Sequence, residues 1–189
     1  WDLRYPSKRM IPLRDGDESS SWSGFASGSL APPGDYTVSM ILQEGDQVTE
    51  LAGPQSFKVV PLRDGAMPRK SDKVYADHLA TYNTLSTEMA MLSHEMRQSE
   101  KRLNAMFTAL SRSETEPGKF DKQLYSIQDK LNQLDLQLNG NKAKQEVGQK
   151  NPPSIWSRLS VARQGLSNTY GPTPLHQKSL EIAESMIGN

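Results

Sequence analysis

From Ser71 to Ser113 the chain contains neither glycine nor proline. Across that stretch Tyr75, Leu79, Tyr82, Leu85, Met89, Leu92, Met96, Leu103, Met106 and Leu110 recur mostly at steps of three or four. Proline breaks a helix interior and glycine weakens one, so an uninterrupted run with this period predicts a single amphipathic helix, ~60 Å long at 1.5 Å per residue. A helix of that length must bury its apolar stripe against neighbours. That requirement constrains everything after residue 70.

The neighbours are legible too. "TEPGK" stops the long helix at Pro117 and Gly118, and Phe120, Leu124, Ile127, Leu131, Leu134 and Leu138 then repeat at 4, 3, 4, 3, 4. This is a heptad seam, which requires a facing helix, and the short connection makes the long helix its antiparallel neighbour. "NGNKAKQEVGQKNPP" reads as a polar loop. Ile155, Trp156, Leu159, Ala162 and Leu166 mark a third helix capped by Ser154, and Thr173 before Pro174 opens a fourth that runs to Ile187.

Before residue 70 the period is two. In "LAPPGDYTVSMIL", Pro32, Pro33 and Gly34 lead the chain through a turn into a strand whose Tyr36, Val38, Met40 and Leu42 share one face. "QEGDQVTE" supplies a polar turn, and "VTEL" and "QSFKVVPL" continue the meander. With "WDLRYP" as a further strand and "SWSGF" as a fifth, the N-terminal part is expected to form an antiparallel β-sandwich of immunoglobulin or fibronectin type III kind. Such a sandwich usually takes about 100 residues, so it is expected to be incomplete. The expected class is α+β in two domains: a sandwich over 1–65, a linker over 66–72 centred on "RDGAMPRKSD", and an antiparallel bundle of three to four helices over 73–189.

Composition narrows the function. The 22 basic and 22 acidic residues cancel, which disfavours nucleic acid as a partner. The chain has no cysteine, which removes disulfides and thiolate chemistry. No stretch approaches the ~20 apolar residues of a membrane helix. Residue 1 is Trp and "WDLRYP" reads like the inside of a folded segment, so the chain is expected to come from a longer protein.

No reactive set emerges. His78, His94 and His176 lack the company of a metal site: "HEMRQ" carries Gln98 where a zinc-protease helix has its second histidine, and Tyr75, Met91 and Thr173 stand where a di-metal bundle needs Glu. The glycines are scattered in turns instead of forming a phosphate loop, and no serine sits in a Gly-x-Ser-x-Gly elbow. "DGDESS", Asp15 to Ser20, has clustered carboxylates but lacks the Gly and distal Glu of a calcium loop, and reads as a solvated hairpin tip. Trp1, Trp22 and Tyr36 are read as sandwich core, with a glycan-stacking platform at Trp1 and Trp22 as the alternative, and Trp156 and the methionines are read as helix packing. No catalytic, cofactor or metal residues are assigned.

The order "WDLRYP", "APPGDYTV", "FKVVPLRDG", two long helices, "NPPSIWSRLS" and "YGPTPLHQKSLEIAESM" resembles the C-terminal region of bacterial sortilin-type, BNR-repeat β-propeller proteins, often labelled glycosyl hydrolases. The resemblance spans nearly the whole chain, and its strongest motifs, WDLRYP and PPG-Tyr-Thr, are structural. It implies a non-catalytic accessory module that packs on or spaces a propeller, in a protein exported to the periplasm, the outer surface or the medium. It also implies that any hydrolase residues lie outside this chain. The implied partners are the rest of the polypeptide and, alternatively, a glycan. Self-association would require the heptad seam to be left partly uncovered, and a monomer is the expectation.

Overall fold

The computed structural model describes residues 2–5, 29–63, 65, 67–114 and 118–188. The fold is mixed α+β: these residues form a two-stranded antiparallel sheet, β1 (Gly34–Glu44) and β2 (Gln47–Val59), followed by five helices. The helices are α1 (Asp72–Ser111), α2 (Lys119–Asn139), α3 (Lys142–Glu146), α4 (Ile155–Ser167) and α5 (Pro174–Ile187).

Helices α1, α3 and α4 start where a short polar side chain takes up a free backbone donor. The Ser71 hydroxyl accepts from the Val74 amide at 3.4 Å, and that of Ser154 accepts from the Ser157 amide at 3.2 Å. At α2 the direction is reversed: the Gly118 amide donates to the Asp121 carboxylate at 2.7 Å, which also sets a negative charge at the positive end of the helix dipole. Pro174 opens α5, where its missing N–H is no loss. The stretch expected to be a polar loop contains α3, one short turn begun when Asn141 accepts from the Lys144 amide at 3.1 Å. Gly140, at φ 79°, lets the chain leave α2 and enter that turn.

The core lies at one end of the bundle. Leu85 and Met89 of α1, Leu138 of α2, Ile155, Leu159 and Ala162 of α4, and Leu180 and Ala183 of α5 pack into one cluster. Ala162 and Ala183 are fully buried, and their small side chains let α4 and α5 approach closely. Beyond this cluster α1 and α2 continue as a two-helix arm. Phe107 and Tyr125 meet along it with ring centroids 5.1 Å apart.

The sheet is a ribbon turning at Gly45, whose φ of 61° suits the reversal. From Gly34↔Val59 to Val38↔Gln55 the pairing is regular; it then shifts at Met40↔Ala52 and again at Ile41↔Glu50. Both shifts place an extra residue on β2, around Gly53–Pro54 and at Leu51. Pro54 lacks a ladder donor, so β2 bulges there while β1 keeps its alternation. Tyr36, Val38, Met40 and Leu42 therefore share a face, as their spacing predicts. Tyr36 stacks on Phe57 at 5.8 Å, and its hydroxyl donates to the Pro32 carbonyl at 2.6 Å.

The N-terminal piece is tied to the helices through a few bonds. The Ala31 amide donates to the Leu3 carbonyl at 2.7 Å and the Tyr5 amide to that of Ser29 at 3.0 Å, making an isolated bridge between Arg4 and Leu30. The Ser29 hydroxyl reaches Asn83 on α1 at 3.3 Å, and the Lys70 amide donates to the Tyr170 carbonyl at 2.9 Å. The expected sandwich is represented among the described residues by one ribbon and this bridge. The fifth strand placed at "SWSGF" lies outside them.

Candidate functional site

Three polar side chains converge in the helical body. The Tyr75 hydroxyl of α1 donates to the Leu166 carbonyl at 2.9 Å, and one turn later His78 Nε2 lies 2.9 Å from the Ala162 carbonyl, so this nitrogen carries the proton. From the other side, His176 Nδ1 accepts the Thr173 amide at 3.1 Å and so closes the start of α5. Gly165 sits between these elements. A Cβ there would lie 2.9 Å from His176 Nδ1 and 3.0 Å from the Pro172 backbone, which is why α4 carries glycine at this point.

The electrostatics match a structural role. Burial pushes the His78 imidazole below its ordinary value, the bond to Ala162 opposes this, and His176 adds to the lowering. Burial raises the Tyr75 phenol, against the pull of Arg69. Both histidines are spent on backbone partners, and neither has a carboxylate or nucleophile beside it in these bonds. Among the described residues no group of three His, Cys, Asp or Glu side chains is placed to hold a metal ion. Tyr36 is pushed up to about 12, by burial first and then by the neighbouring Tyr5 hydroxyl and the Asp72 carboxylate.

The sequence assigns His78 and His176 no role beyond lacking the company of a metal site; both are buried. The missed signal is positional. His78 falls one residue before Leu79 on the apolar stripe, and His176 stands three residues after Thr173, the third position of a capping box. Trp1 and Trp22, the candidate glycan contacts, and the acidic "DGDESS" run lie outside the described residues. Trp156, expected in the core, is 42% exposed: Ile155 and Leu159 fill the interior, and the intervening position on α4 points outward.

What remains is surface. The heptad seam of α2 divides into two rows: Leu124 and Leu138 are 9% and 6% exposed, whereas Phe120, Ile127 and Leu134, one heptad apart, are 61%, 45% and 47% exposed. Leu92 and Met106 on α1 are also exposed. Beside the Ile127 row runs a shallow open depression lined by Lys119, Lys122, Gln123, Ser126 and Lys130, with no carboxylate. On the ribbon, Val38, Met40 and Leu42 are exposed on one face and Ile41 and Val48 on the other, so each face leaves apolar side chains uncovered.

Comparison with family models, with curated proteins and with solved structures gave no match to this chain. No described helix is long and apolar enough to cross a membrane.

Proposed function

We propose that this chain is a non-catalytic accessory module, one that docks on or spaces the β-propeller of a larger exported protein. The observation that carries this reading is the bare ribbon face of Val38, Met40 and Leu42, set on helices that fill their own core elsewhere. An apolar β face left open to water is a docking surface in want of a cover. In this reading the ribbon belongs to a fibronectin- or immunoglobulin-like sandwich whose facing strands come from the same polypeptide, and the helical body acts as a rigid spacer. The propeller and the address outside the cytoplasm rest on the sequence motifs that resemble the sortilin-type proteins.

The test is to place Met40→Glu and Leu42→Glu together in the full-length polypeptide and follow its scattering profile and limited proteolysis. The docked reading expects the module to swing free of the remainder and the junction between the two to become cleavable, with the helical circular dichroism unchanged. An identical scattering envelope and cleavage pattern would sink it.

A further inference from the structure

The two uncovered surfaces carry opposite charge. In the outer half of the ribbon, from Met40 to Gly53, the charged residues are Glu44, Asp46 and Glu50, with no base among them. The cross-strand register puts Glu50 opposite Ile41 and Val48 opposite Gln43, so Ile41, Val48 and Glu50 share the face turned away from Met40 and Leu42. The arm offers the complement: Phe120, Ile127 and Leu134 form an exposed row, flanked by Lys119, Lys122 and Lys130.

We infer that the ribbon tip of one molecule docks on the α2 face of a second copy. The Ile41 and Val48 side chains cover the Ile127 row, and Asp46 and Glu50 lie against the α2 lysines. Within one molecule the two surfaces stand apart, for the tip residues and the α2 row are both exposed in the folded chain. Like surfaces do not pair with each other: this ribbon face against itself opposes Glu50, with Asp46 at the turn, to the same carboxylates of the second copy, and arm against arm opposes lysine to lysine. Only the ribbon-to-arm combination satisfies both charge and burial. The contact is heterologous, so each copy gives one ribbon and receives one. It uses the ribbon face opposite to the one assigned to propeller docking, and so does not depend on that assignment.

The absence of cysteine makes the test clean. Val48→Cys and Ser126→Cys are made in separate chains, mixed and oxidised. The inference expects a mixed disulfide dimer well above either homotypic product. A predominant homotypic product overturns it, as does no cross-link at all. So does rapid intramolecular closure of the Val48→Cys, Ser126→Cys double variant at high dilution, which would mean that the ribbon folds back on its own arm.

Sedimentation velocity supplies the second readout. The unaltered chain is expected to associate with rising concentration and to dissociate as salt screens the contact. Lys122→Glu with Lys130→Glu should weaken association about tenfold or more, as should Asp46→Lys with Glu50→Lys, since each close exposed pair contributes a factor of up to about five. Mixing the two reversed variants should restore it. A chain that stays monomeric at every concentration, or reversed variants that fail to rescue each other, would refute the contact.

Discussion

His78 shows how one side chain couples the helices to pH. Its Nε2–H bonds the Ala162 carbonyl of α4, and burial keeps the folded imidazole below the ordinary value of 6.5. The unfolded chain therefore takes up this proton more readily than the folded one. The stability involved is present in full above the unfolded value and is lost as pH falls from there through the lower folded value. The melting temperature is expected to drop on acidification below about pH 6.5. His78→Gln, whose amide can donate to the same carbonyl without titrating, should flatten that drop; an equally steep profile in the variant would assign it to other groups. Gly165 tests the same region by volume. Gly165→Ala would press a methyl against His176 and the Pro172 backbone, and should destabilise the fold by about 1–3 kcal/mol in denaturant titrations.

At the scale of elements, the helix starts were legible because caps and breakers act over three or four residues. Ser154 and Thr173 stand at the N-caps, as their spacing to the following apolar run predicts, and Ser71 caps α1 at the start of the glycine- and proline-free run. Ser154→Ala should cost about 1 kcal/mol, read as a lower urea midpoint with unchanged slope, because the Ser157 amide loses its acceptor. The turn at Gly45 and the alternation of β1 were legible for the same reason, being local signals; "VTEL" and "QSFKVVPL", expected as successive strands of a meander, are instead one continuous strand, β2. The bulges on β2 were less legible, although Gly53–Pro54 marks the place where a regular ladder could not continue. The α2 seam was legible as a period but not as a partition. Its spacing makes Leu124 and Ile127 equivalent, and only the positions of α1, α4 and α5 leave one row inside and the other in water.

For the molecule as a whole, stability is concentrated at one end. The cluster joining Leu85, Met89, Leu138, Leu159 and Leu180 binds four helices, whereas the arm tip and the outer ribbon bury little. Amide exchange should follow that gradient, with strongest protection in residues 78–90 of α1 and in α4 and α5. Exchange should be fastest at 40–53 and near the arm tip, and slower there at concentrations where copies associate. Uniform protection across ribbon and core would contradict this distribution. The sequence by itself determined the local events: where helices begin and end, and where the period changes from two to three and a half. The tertiary structure alone decided which apolar residues are covered, that Trp156 faces outward, and that His78 and His176, 98 residues apart in sequence, become neighbours in the helical body. The physical reason is range. Caps, breakers and periodicity act between residues a few positions apart, while burial depends on which distant elements arrive on which side.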